Sequence, residues 1–187
     1  IPKTVVICTD KFDDFMEQNN LYDIAYSENL SDEEILNHFL EAKIPDDVWE
    51  DLRAFVNVIN TPIAVRSSSL LEDAHYQPFA GVYSTYMVPN NKEDVKSTLM
   101  KLGEAIKAVY ASVYYSGSRS YMTATKNVIS REKMAVVLQE VCGKAYGDRF
   151  YPSFSGVARS LNYYPIGDEK PEDGVVNVAL GLGKYIV

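Results

Sequence analysis

Residues 91–115, NKEDVKSTLMKLGEAIKAVYASVYY, place Val95, Leu99, Leu102, Ile106, Val109 and Val113 three or four positions apart. That spacing puts all six on one side of a helix, predicted over about 93–114. A helix with so regular an apolar side needs a second layer to bury it. The second layer follows in KMAVVLQEV, residues 133–141, whose continuous apolar middle reads as a buried strand. FSGVARSLNYYP and GVVNVAL add two more strands, the latter over 174–180, joined by the charged turn IGDEKPEDG. Helices are therefore expected in the first two thirds of the chain and strands in the last.

Upstream, the same reasoning predicts a strand over 4–8 and a helix capped by Thr9 or Asp10, with Phe12, Phe15 and Met16 inward. Ser31 and Glu34 have the spacing of a capping box, ahead of Ile35, Leu36, Phe39 and Leu40 at helical period. Pro45 ends that helix. The next buries Val48, Trp49, Leu52, Phe55, Val56 and Ile59. Gly117 is expected to break the long helix ahead of a short one in SRSYMTATKN. The fold class is α/β (α+β).

The 187 residues suit one domain or two small lobes. No apolar run approaches the roughly 20 residues of a membrane span, and no leader peptide is recognisable, so a cytoplasmic protein is expected. The net charge of −8 speaks against a surface that tracks nucleic acid. It leaves room for a small phosphate ligand, which a few local cations can hold. Cys8 and Cys142 fit reduced, structural cysteines, with one disulfide as the alternative. Neither a P-loop, a GxGxxG turn, a G-x-S-x-G elbow nor a metal-ligand spacing is present. GLGK at 181–184 lacks the rest of a phosphate loop, and His38 and His75 read as ordinary helix and loop residues.

The most informative stretch is TPIAVRSSSLLEDAHYQPFAGVYSTYMV, residues 61–88. A strand over 62–66 ends on Arg66, a polar loop follows, and a second strand over 82–88 returns to the sheet. Arg66 presents a planar, permanently charged fork that can grip phosphate through two hydrogen bonds. Ser67, Ser68 and Ser69 add hydroxyl and backbone donors, and Gly81 permits close approach of another segment. On residue chemistry alone, a surface arginine paired with Glu72 or Asp73 in a turn is slightly favoured over a phosphate site.

VRSSSLLEDAHYQPFAGVYSTY resembles the amino-terminal nucleotide-binding signature of the pyruvate phosphate dikinase and phosphoenolpyruvate synthase family, V-R-S-S-A-x-x-E-D-x-x-x-x-S-F-A-G-x-x-x-T. Arg66, Ser67, Ser68, Glu72, Asp73, Phe79, Ala80, Gly81 and Thr85 stand at the family's spacing. Ser69 replaces a common alanine and Pro78 a common serine. AIKAVYASVYY, MAVVLQEV, FSGVARS and NVALGLGKYIV resemble further family blocks, in family order and over most of the chain.

The resemblance implies an ATP-grasp-like fold of two α/β lobes, with mixed or antiparallel sheets flanked by helices. The first would be a helix-rich lobe over about 1–130 and the second a truncated strand-rich lobe over about 131–187. It implies ATP and Mg2+ as cofactors. Arg66 would contact the phosphates and serve catalysis, Ser67 and Ser68 would add donors, Gly81 and Thr85 would line the site, and Gln139 would lie near the adenine.

The implied activity is that of an ATP-dependent phosphotransferase of the kinase type. It passes a phosphoryl group to a histidine on another domain, then to pyruvate or a related acceptor. A relative passes phosphate to an antibiotic. The phosphohistidine and pyruvate/phosphoenolpyruvate domains of the same parent would be partners, with no nucleic acid and no membrane.

The family's G-G-K-x-x-x-L, Q-x-R-P and T-S-H motifs are not in this sequence. Lys184 stands for a glutamate, Glu140-Val141-Cys142 for x-M-V, and RSLN at 159–162 departs from F-T-x-D/N-P. The expectation is a piece of a larger enzyme, inactive by itself. The alternative is a non-catalytic nucleotide-sensing or regulatory module.

Overall fold

The computed structural model describes residues 1–69, 72, 83–124 and 132–182. The chain forms two compact units that divide between Val141 and Cys142.

The first unit contains β1 (Thr4–Ile7), α1 (Thr9–Gln18), α2 (Tyr22–Ala25), α3 (Asp32–Glu41) and α4 (Asp46–Val58). It continues through β2 (Ile63–Ser69), β3 (Tyr86–Val88), α5 (Val95–Ser112), α6 (Ser116–Ala124) and β4 (Met134–Glu140). The strands form one antiparallel sheet in the order β1-β4-β2-β3. Expected near residue 130, the lobe boundary would have put β4 in the second lobe. Here β4 lies between β1 and β2, in the first unit's sheet.

The core lies between one face of this sheet and the helices. Ile63 and Val65 of β2 and Met134, Val136 and Leu138 of β4 are fully buried. Leu102, Ile106 and Val109 of α5 pack into the same cluster with Phe12, Phe15 and Met16 of α1 and Phe39 of α3. Gly103 allows Trp49 to lie against α5, because a Cβ there would fall 2.5 Å from the indole Cη2.

Several elements differ from the sequence reading in their ends. The N-cap of α1 is Cys8, without a side-chain cap, because Thr9 and Asp10 are already helical. The long helix stops at Ser112, and Gly117 lies inside α6 rather than at the break. Hydroxyls end α5: Ser118 Oγ donates to the Ser112 carbonyl and Ser112 Oγ to that of Val109, both at 2.7 Å. The Asp32 carboxylate then accepts the Ser116 backbone N–H at 2.7 Å and starts α6.

The largest difference is in β2, which runs on through Ser67, Ser68 and Ser69 instead of ending at Arg66. Arg66–Ser69 stay extended because they pair with Val137–Met134 of β4. The return strand is shorter than the expected 82–88 and starts at Tyr86. The expected capping box is present: Glu34 N–H donates to Ser31 Oγ at 3.3 Å and Ser31 N–H to Glu34 Oε2 at 2.8 Å.

The second unit holds two antiparallel ladders. β5 (Lys144–Tyr146) and β6 (Arg149–Tyr151) form a hairpin, and β7 (Phe154–Arg159) pairs with β8 (Val175–Leu180). The hairpin turns on Gly147, whose φ of 64° suits glycine. Tyr146 and Tyr151 stack across it at 4.5 Å. On one face of the β7–β8 ladder, Phe154 pairs with Leu180 and Gly156 with Val178. Phe154, Val178 and Leu180 are exposed. The molecule is mixed α/β with antiparallel sheets. No helix among the described residues is long and apolar enough to cross a membrane.

Candidate functional site

Partners in an antiparallel pair share a sheet face, and alternate residues along a strand share it too. In the register, Ala64 of β2 stands opposite Gln139 of β4, and Arg66 opposite Val137. Ala64, Arg66, Ser68, Val137 and Gln139 therefore share one face. Thr4 and Val6 of β1 join it opposite Gln139 and Val137. Ile63, Val65, Val136 and Leu138 occupy the other face, in the core. Arg66 and Gln139 thus stand on the face turned away from that core.

Arg66 is exposed, and among the described residues its side chain has no hydrogen-bond or ion-pair partner. Pairing with Glu72, one of the two readings open at the sequence level, is not made. Gln139 is half-buried, and its Nε2 donates to Thr4 Oγ1 at 3.1 Å. That bond orients the amide, since Thr4 and Gln139 are direct partners in the ladder. Thr85 is exposed and immediately precedes β3, at the sheet edge beside β2. Gly81, Asp73, His75, Pro78, Phe79, Ala80 and Lys184 lie outside the described residues.

The structure separates the two serines grouped with Arg66. Ser68 shares the face of Arg66 and Gln139. Ser67 projects to the opposite side, where its hydroxyl donates to Glu72 Oε1 at 2.9 Å. The period of two in an extended strand imposes this split. A loop at 67–69, as expected from sequence, would not have imposed it.

Sequence reasoning missed a polar network at the end of β2. The Glu72 N–H donates to Ser69 Oγ at 3.3 Å, and the Tyr83 hydroxyl donates to Glu132 Oε1 at 3.2 Å. Ser69, Tyr83 and Glu132 are all buried. Burial first, and then the Glu132 carboxylate, raises the Tyr83 phenol well above its ordinary value, so it stays a donor. Glu72 belongs to the family signature, but nothing in the spacing of Tyr83 or Glu132 links them to it.

Two of the cavities among the described residues lie elsewhere. An apolar one of about 590 Å3 runs between β1 and α4, with Val5, Ile7, Leu52, Phe55 and Leu138 in its wall. A polar one of about 320 Å3 is lined by Asp13, Glu17, Tyr22, Tyr114, Glu132 and Lys133. Neither includes Arg66, Ser68, Thr85 or Gln139.

The family model for the pyruvate phosphate dikinase AMP/ATP-binding domain matches residues 1–187. The chain belongs to this family. Its relatives include the phosphoenolpyruvate synthase of Aeropyrum pernix, 30% identical over 142 residues, which are 75% of this chain and 15% of that protein. They also include the uncharacterized phosphotransferase YvkC of Bacillus subtilis, 27% identical over 190 residues, spanning 100% of this chain and 20% of that protein. The chain thus corresponds to a minor part of these curated relatives. In this chain, Arg66, Ser67 and Ser68 stand on β2 and Gln139 on β4 of one sheet.

Proposed function

We propose that this chain is the ATP-binding part of a phosphoenolpyruvate synthase-like or pyruvate phosphate dikinase-like phosphotransferase with an ATP-grasp-like cleft. The observation that carries the reading is the shared face of Arg66 and Gln139 on adjacent strands. A guanidinium with no partner among the described residues suits phosphate, and a half-buried amide on the same face suits the edge of a base. Ser68 and Thr85 add hydroxyls nearby, and Gly81 belongs to the same signature.

In the complete protein the phosphoryl group would pass to a histidine on another domain and on to pyruvate or a related acceptor. Arg66 would neutralise the charge that develops on the transferred group. The described residues hold no cluster of His, Cys, Asp and Glu that could bind a metal ion. Magnesium would enter this reading bound to the phosphates of ATP.

The test is titration calorimetry of Mg·ATP into the full-length protein, wild type and Arg66→Ala. Loss of the arginine should weaken binding by about 1.5–3 kcal/mol, the range for a hydrogen bond to a charged group. Equal affinity for the two proteins would overturn the assignment.

A further inference from the structure

Resting on the nucleotide reading above, we propose that Glu72 is a positioning residue that holds the ATP-facing side of β2 in place without touching the ligand. Ser67 lies between Arg66 and Ser68 but projects to the opposite face. Its hydroxyl is held by Glu72 Oε1 at 2.9 Å. The Glu72 N–H also binds Ser69 Oγ, so two bonds from one residue fasten the last turn of the pleat in β2. Locking Ser67 about the strand axis sets the directions in which its neighbours Arg66 and Ser68 project.

The same end of the sheet is tied to β4. Ser69 pairs with Met134, and Glu132, close before Met134, accepts the Tyr83 hydroxyl. Glu72, Ser67, Ser69, Tyr83 and Glu132 thus gather where β2 leaves the sheet and β4 enters it. β2 carries Arg66 and β4 carries Gln139.

Glu72 is an unusual choice for a purely structural bracket. Its second oxygen, Oε2, is buried with no hydrogen-bond partner among the described residues, an arrangement that costs stability. A methionine would fill similar volume without that cost. What methionine lacks is the acceptor for Ser67, and the positioning role needs that acceptor.

The experiment compares Glu72→Met and Glu72→Gln in the full-length protein, with Mg·ATP affinity read by calorimetry and stability by thermal unfolding. Glu72→Met should weaken ATP binding about tenfold, the size of one lost buried hydrogen bond, with an unchanged or raised midpoint. Glu72→Gln keeps an oxygen for Ser67 and should bind within about twofold of wild type. Wild-type affinity in Glu72→Met overturns the proposal, whether or not the midpoint falls. So does a Glu72→Gln protein as weak as Glu72→Met, which would make charge rather than the acceptor decisive.

Should Glu72→Met fail to fold, Ser67→Ala removes the same bond from the other side. It should weaken ATP binding several-fold at an unchanged midpoint, and unchanged affinity overturns the proposal equally. Arg66→Ala separates the two levels. Full affinity in that variant sinks the nucleotide reading itself, whereas loss there with no loss in Glu72→Met sinks the positioning role alone.

Discussion

Gln139 and Arg66 project from the same face of one sheet, because Gln139 stands opposite Ala64 and Ala64 and Arg66 alternate on β2. A one-residue slip between β2 and β4 would send them to opposite faces. The register is held by the other face, where Val65 and Leu138, direct partners, are fully buried. The geometry on which the nucleotide reading rests is therefore enforced by the core.

Arg66→Lys keeps the charge and loses the fork. A single ammonium cannot reproduce two parallel bonds to a phosphate. Mg·ATP affinity of this variant, by calorimetry on the full-length protein, should lie between wild type and Arg66→Ala. Full wild-type affinity would show that Arg66 acts as a point charge only.

The capping box should give stability a dependence on acid. The Ser31 backbone N–H, then its hydroxyl, and His38 more weakly, lower the Glu34 carboxyl below its ordinary value of 4.5. A carboxyl lowered in the folded state adds stability above its unfolded value, and that stability is lost as pH falls through the folded value. In Glu34→Gln the thermal midpoint should therefore fall less between pH 6 and pH 3, roughly the span across carboxylate titration. Parallel curves for the two proteins would count against the box.

Gly156→Ala should damage the second unit. A Cβ at Gly156 would lie 2.3 Å from the backbone oxygen of Asn177 on β8. Backbone in a paired ladder cannot move aside as a side-chain tip can, so a cost of about 1–3 kcal/mol is expected. Hydrogen exchange should rise at amides of β7 and β8, with little change in residues 1–141.

Phe39→Ala should be among the most disruptive single changes in the first unit. Phe39 is fully buried, with its ring centroid 5.9 Å from those of both Phe15 and Tyr114. Truncation should cost about 3–5 kcal/mol, read by denaturant unfolding. A loss under about 1 kcal/mol would mean that the cluster closes over the gap.

The sequence by itself determined what local periodicity and short-range chemistry can carry. Val95 to Val113 specified a helix because residues three and four apart meet within it. Ser31 and Glu34 specified a cap because the bond spans three residues. The order of blocks around Arg66 and Gln139 specified the family, because each block is contiguous.

Only the tertiary structure decided that Ser67–Ser69 continue β2. Serine has no strong strand preference, and pairing with β4, distant along the chain, holds these three extended. The same pairing sends Ser67 to Glu72 and Ser68 to the face of Arg66. It also places β4 in the first unit and brings Glu132 to Tyr83. Long-range register has no signature within a short window of sequence. It emerges when one face of every strand must be buried at once.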